Sequence, residues 1–220
     1  MPDLFPIFLS FRIAMVATII SFAIGIPLGY LLAKKSFPGK DLMDSVITFP
    51  IILPPTVLGY YLLVVIGNNS PLGRFIQEDL GIELIFNWKG AVLAAATVSM
   101  PFLIKYARVS FEGVNKNLED VARTLGHSEW GVFSRVTIPL AWRGIAVGTA
   151  LAFARALGEF GATLIVAGNI SHKTQTAPIA IFDAVQMGRD ELANAMVLIM
   201  SGIAFTVVFL TTKLGRSRYE

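Results

Sequence analysis

Five stretches of the chain are apolar and long enough to cross a bilayer, which takes about 20 mostly apolar residues in a helix. They cover about 13–33, 45–66, 90–108, 144–166 and 191–210. The first closes on Lys34 and Lys35 and carries Pro27 between Gly25 and Gly29, a pattern that predicts a kinked helix. The second contains Pro50, Pro54 and Pro55, so three backbone donors are missing and a regular helix throughout is excluded. Irregular backbone at membrane depth survives where it is buried in protein or lines a wet cavity. Two readings follow, a packing kink or a break beside a pathway. The segment 67–89 is polar and turn-rich and reads as an external loop with a short amphipathic helix. Pro101 sits near the inner end of the third span. Residues 168–190 form a mixed loop in which Ala177–Met187 reads as a short re-entrant or interfacial helix, and Asp190 as the N-cap of the last span. A sixth span over 172–187 is possible, but its internal polar residues argue against it.

Between the third and fourth spans lies a polar island, 114–139. Leu118, Val121, Ala122 and Leu125 recur at helical spacing and predict one apolar face. Gly126 then stops the helix, because glycine alone enters the left-handed conformation without a Cβ clash. Ser128 can cap a second helix that carries Trp130, Phe133 and Val136 on one side, and Pro139 is expected to end it. Such a helix–break–helix either lies on the lipid headgroups or grips a soluble partner. The pattern alone leaves both open.

Composition makes this an integral membrane protein with a single domain, 1–220. Hydrophobic residues make up 55% and charged residues 15%, where a soluble domain carries about a quarter charged residues. The mean hydropathy is +0.67. No cysteine is present, which excludes disulfides, thiolate metal sites and a cysteine nucleophile. The net charge of +3 is no sign of nucleic-acid binding, since the basic residues fall at membrane edges. The first apolar run lacks a basic start and a small-x-small site, so it reads as an uncleaved anchor. With 114–139 in the cytoplasm, five spans put the N-terminus outside and the C-terminus inside. Then 12 of the 18 Lys and Arg, including Lys213, Arg216 and Arg218, are cytoplasmic and 5 are external, with Arg155 inside a span. That asymmetry obeys the positive-inside rule.

Arg155 and Glu159 lie four apart within the fourth span, on one helix face, beside Gly158, Gly161 and Thr163. Intramembrane charges face protein or a water cavity. The pair reads as a mutually neutral brace or as a gate beside a path. A lone glutamate would repel an anion, which favours bracing or gating over direct binding. An intramembrane enzyme would need Arg155, Glu159 and His127 together, yet His127 falls in the polar loop. No Ser-His-Asp set, metal-ligand spacing or phosphate-binding loop occurs, so the chain is read as non-catalytic and without a cofactor of its own.

The polar island resembles the EAA loop of ABC importer permeases. Asp120-Val121-Ala122 fills the acidic-Ala-Ala triplet, Gly126 stands six residues after the acid, and Val136-Thr137-Ile138-Pro139 closes the pattern. Asp for Glu and Val for Ala are mild departures. Two further stretches, Leu53 to Leu63 with Pro71-Leu72-Gly73, and Arg155 to Ala162 leading to Asn169-Ile170, resemble the molybdate/tungstate (ModB-like) permeases. The second is shared with sulfate permeases.

The resemblance implies an all-α type I importer fold with about five transmembrane helices and a cytoplasmic coupling loop. It implies a homodimer in the inner membrane, two copies of a cytoplasmic ATPase that binds the ATP and Mg, and an extracytoplasmic oxyanion-binding protein. It assigns ATPase coupling to Leu118, Asp120, Ala122, Arg123, Leu125, Gly126, Ser128, Trp130 and Phe133. Pro54, Pro55, Thr56, Arg155, Gly158, Glu159, Gly161 and Thr163 are the candidates for path or gate. The expected function is ATP-driven import of molybdate or tungstate by alternating access. A sulfate/thiosulfate permease is the alternative within the superfamily, and a passive anion channel the alternative outside it.

Overall fold

A computed structural model of the chain describes residues 3–215. Arg216 and Arg218 lie outside them. Among the described residues every regular element is helical.

Helix α1 (Phe5–Lys34) starts well before Ile13 and runs through Pro27 without interruption. At its start the Phe5 amide donates to Asp3 Oδ1 at 2.9 Å and Pro6 occupies the first turn. Arg12, inside the helix, lies over the Trp88 ring with 4.0 Å between guanidinium carbon and ring centroid, a favourable cation–π contact. The second expected span is two helices, α2 (Lys40–Ile52) and α3 (Pro55–Ile66), bent by 116° at Leu53-Pro54. Residues before proline are pushed out of the helical region, and here both Leu53 and Pro54 preceding Pro55 are extended.

The bent pair still traverses the bundle. Near the start of α2, Asp44 meets Lys105 at 2.7 Å and Arg108 at 3.2 Å. At the other end, the carbonyl that closes α3 at Gly67 abuts Gly73, in α4 (Pro71–Arg74). Ser70 caps α4 by accepting from the Gly73 amide at 2.8 Å, and the chain continues as a π-helical turn, Phe75–Asp79. Lys105 and Arg108 belong to the far end of α5 (Trp88–Glu112), whose beginning is beside the segment that follows α4.

Two short helices, α6 (Lys116–Thr124) and α7 (Glu129–Val132), and the long α8 (Ile138–Leu157) follow. Pro139 does not end the second loop helix. A π-helical turn at Phe133–Thr137 joins α7 to α8, and the Ile138 amide reaches back to the Phe133 carbonyl. The wider turn accommodates the missing proline donor and its ring, so Glu129–Leu157 is one 29-residue run.

The expected span 144–166 is broken instead at Gly158-Glu159-Phe160. Beyond the break come α9 (Gly161–Ala167), α10 (Ala177–Gln186) and α11 (Asp190–Gly215). Asp190 is the first helical residue of α11, not its cap. Among the described residues four helical runs are long and apolar enough to span, and the bent pair, taken as one span, makes a fifth.

The core forms where α1, α5 and α8 meet. Ala14, Ala17, Ala91 and Ala95 are fully buried there, and small residues let membrane helices approach closely. Helix α3 packs on α9 by the same device. A Cβ on Gly59 would stand 2.9 Å from Ala162 Cα, and one on Gly161 would stand 2.8 Å from Pro55 Cβ. Gly59→Leu should therefore cost about 1–3 kcal/mol through overpacking against backbone and lower the melting temperature in detergent. Gly202→Ala, where a Cβ meets nothing within 4 Å, should leave it unchanged.

Candidate coupling and translocation sites

Helix α6 starts at Asn115, whose side chain accepts the Asn117 amide at 2.9 Å. It ends in a Schellman turn: the His127 amide reaches the Ala122 carbonyl at 3.1 Å and the Gly126 amide reaches Arg123 at 2.9 Å. Gly126 sits at φ +87°, as the sequence predicts. Ser128 caps α7 by accepting the Gly131 amide at 3.3 Å.

Arg123 clamps the two helices across that bend. Its Nε and Nη2 donate to the two carboxylate oxygens of Glu129 at 2.7 and 3.1 Å, and Nη1 donates to Asp120 at 2.7 Å. The hydrogen bond to Glu129, ahead of that to Asp120, raises the guanidinium pKa above its ordinary value. Arg123 and Asp120 thus shape the bend from within.

The expected apolar face of α6 divides. Leu118, Val121 and Leu125 are exposed, and with Trp130 they form an outward apolar patch in which Leu125 is 75% and Trp130 74% accessible. Ala122 turns inward, and Phe133 does too, packing edge-on against Tyr30 at 4.9 Å and beside Phe111. Neither presents a gripping surface, a correction to the grouping by spacing.

The residue that spacing missed is Glu119. It is buried at 4% exposure; its Oε2 meets Lys34 Nζ at 3.0 Å and its Oε1 accepts from Thr137 Oγ1 at 2.7 Å. One carboxylate thus ties α6 to the end of α1 and to the π-turn that leads into α8. The available signal was its place three residues before Ala122, on the face opposite Leu118 and Val121, with a Lys34-Lys35 pair at a span end to meet it.

At the opposite site, Arg155 Nη1 and Glu159 Oε2 form the expected pair at 2.8 Å, but not along a continuous helix face. Glu159 lies in the break, and its Oε1 accepts the Ala162 amide at 2.9 Å. It caps α9 while its other oxygen holds Arg155 at the end of α8. A carboxylate at a helix N-terminus meets both the free amides and the favourable end of the dipole. Glu159, Gly161 and Thr163 are buried, whereas Pro54, Pro55, Thr56 and Gly158 are exposed and Arg155 is half-buried. Through the Pro55–Gly161 contact the two helix breaks, 53–54 and 158–160, lie side by side.

His127 stays in the coupling loop at the other end of α8 from Arg155 and Glu159, so the three groups an intramembrane enzyme would need are not brought together. His172 sits at positive φ, 3.5 Å from Asp3 and packed on Phe5. Among the described residues no cluster of three His, Asp or Glu could hold a metal.

A family model for the "binding-protein-dependent transport system inner membrane component" matches residues 25–218. The chain belongs to this family. It is a multi-pass inner-membrane permease subunit. It is 43% identical over 209 residues to the molybdenum transport system permease protein ModB of Escherichia coli, covering 95% of this chain and 91% of that one. To the sulfate transport system permease protein CysW of Synechococcus elongatus it is 37% identical, covering 84% of this chain and 65% of that one. In fold, the permease is similar to an inward-facing MetNI methionine ABC transporter, with a TM-score of 0.71, 12% identity and coverage of 96% and 95%. It is also similar to a bacterial alginate ABC transporter in complex with its periplasmic protein, with a TM-score of 0.68, 14% identity and coverage of 96% and 78%.

Proposed function

We propose that this permease imports molybdate or tungstate by alternating access, as a homodimer driven by two copies of a separate cytoplasmic ATPase and supplied by an external binding protein. The observation that carries the substrate is the 43% identity to a molybdenum permease across nearly the whole of both chains. The sulfate reading has the weaker support of 37% identity over 65% of its relative. Uptake of radiolabelled molybdate into cells carrying the whole transporter tests it: a hundredfold excess of sulfate should leave uptake intact, and inhibition at equal concentrations would sink it. Uptake without ATP would favour a passive channel instead.

The coupling loop is the cytoplasmic end in this reading, with the N-terminus of α1 outside and the C-terminus inside. Leu118, Val121, Leu125 and Trp130 form the surface the ATPase receives, while Arg123, Asp120, Gly126 and Ser128 hold its shape. Leu125→Asp with Trp130→Asp is expected to abolish co-purification of the ATPase. Both side chains are mostly in solvent, so the melting temperature of the isolated permease should not move. Pro54, Pro55, Thr56, Gly158 and Arg155 line the path at the paired helix breaks; Glu159, Gly161 and Thr163 brace it from behind. Breaks at membrane depth are the points at which a span can bend without unpicking its packed turns.

A further inference from the structure

The two members of the Arg155–Glu159 pair meet different surroundings. The Glu159 side chain keeps 2% of its exposure and the Arg155 side chain 30%. Both carboxylate oxygens are engaged within the protein: Oε1 accepts the Ala162 amide at 2.9 Å and Oε2 meets Arg155 Nη1 at 2.8 Å. That is the one ion pair Arg155 makes among the described residues. It occupies a single nitrogen of a group with five N–H donors, so most of the fork is left for another acceptor. Burial thus sorts the charges. The group that would repel an anion is withdrawn into the protein, and the group that would attract one is presented.

Arg155 also lies far from the coupling loop. Helix α8 begins at Ile138, which puts Arg155 about 25 Å along it at about 1.5 Å per residue. The next two residues, Ala156 and Leu157, pack with Leu9, Ile13 and Val92 in the early turns of α1 and α5. With the coupling loop in the cytoplasm, Arg155 belongs to the outer part of the membrane, at the helix break 158–160. Charges at that depth face protein or water and mark ion pathways. A guanidinium fork matches the oxygens of an oxyanion two at a time. An arginine alone at low dielectric would hold a dianion tightly, whereas passage needs a site that also lets go. Glu159 supplies the opposing charge and competes for the same nitrogens.

We infer that Arg155 binds the oxyanion directly in the outer part of the path, and that Glu159 is its positioning residue, holding the fork and weakening its grip enough for release. The inference rests on oxyanion import as the function. The chain has no cysteine, so Gly158→Cys places a single thiol in the permease beside Arg155, since i,i+3 neighbours are about 5–6 Å apart. Gly158 is exposed at φ −89°, and a Cβ there comes no closer than 3.7 Å, to the Ala154 carbonyl. In the whole reconstituted transporter, the mass of the permease chain follows labelling by an anionic and a cationic methanethiosulfonate of similar size. Arg155→Gln is expected to lower the anionic-to-cationic rate ratio by about tenfold or more, and Arg155→Lys to keep it. Molybdate should slow labelling with Arg155 in place and not in Arg155→Gln. Glu159→Gln, which keeps an acceptor for the Ala162 amide, should reach half-protection at about tenfold lower molybdate, as one opposing charge is removed. A mere brace predicts weaker protection in that variant, and that result overturns the role of Glu159. In the cysteine-free chain, Arg155→Gln should cut molybdate uptake by about tenfold or more, and Arg155→Lys should restore most of it. An unchanged labelling ratio, or no protection by molybdate in a transporter that accumulates it, overturns the inference and leaves the import reading standing. Protection by sulfate in place of molybdate, with no molybdate accumulated, overturns the substrate and leaves the Arg155 site standing.

Discussion

Glu119→Ala is expected to cut ATP-driven uptake by at least about tenfold while the permease still inserts and dimerises. The carboxylate joins the coupling helix to two spans at once, through Lys34 at 3.0 Å and Thr137 at 2.7 Å. Removing one partner of a buried pair costs about 3–5 kcal/mol, because the other charge is left without compensation. The low end applies here, since the Lys34 side chain keeps 18% of its exposure. Even about 3 kcal/mol shifts the docked position of α6 by roughly a hundredfold. An ATPase pushing on α6 would then move α6 alone, and α1 and α8 would not follow. Glu119→Gln keeps an acceptor for Thr137 and loses the ion pair, so it should fall between wild type and Glu119→Ala. Uptake and ATPase rate measured together separate the effects: hydrolysis should continue with little transport. A double-mutant cycle with Lys34→Ala should give a coupling energy of about 1–3 kcal/mol. Wild-type uptake in Glu119→Ala would remove this tie from the drive train.

Gly126→Val should weaken ATPase binding by about tenfold or more through the backbone alone. The glycine is left-handed at φ +87°, and a Cβ there would meet nothing within 4 Å, so the cost is backbone strain and not collision. For an L-residue that strain is about 1–2 kcal/mol, greater for a β-branched one and smaller for asparagine. Relief of the strain requires α6 or α7 to turn, which would separate Leu125 from Trp130 on the docking face and pull at the Arg123–Glu129 clamp. Gly126→Asn should consequently retain binding within a few-fold, and Gly126→Ala should lie between. A titration of purified ATPase against each variant tests the order. If Asn is as damaging as Val, the position matters because its surface touches the partner and not because its backbone sets the bend.

Much of the coupling loop was legible because capping and turn chemistry are local. Gly126 after the last apolar position of a helix favours a left-handed stop, and Ser128 two residues on favours a cap, from local chemistry alone. The division of its side chains was not legible, since helical spacing groups Ala122 with Leu118, Val121 and Leu125 without saying which side of α6 meets the bundle. Glu119 escaped for a related reason: a carboxylate is assigned to solvent until a particular lysine and hydroxyl are seen to meet it. Pro139 misled because proline usually interrupts a helix interior, whereas here it falls in the first turn of α8, just after a π-turn whose Phe133 packs on Tyr30 and Phe111. The three prolines of 50–55 correctly announced an interruption, but nothing local set a 116° bend.

The sequence by itself determined an integral membrane protein, about five apolar crossings, a polar helix–break–helix loop between the third and fourth of them and the family, because hydropathy, turn residues and motif spacing are properties of neighbouring residues. Only the tertiary structure decided that the breaks at 53–54 and 158–160 lie together, that Glu159 caps one helix while holding Arg155 on another, and that Glu119 binds the loop to α1 and the turn before α8. Those facts join residues up to about a hundred positions apart, and such pairings exist only once helices pack, since packing and not local preference selects which faces are buried.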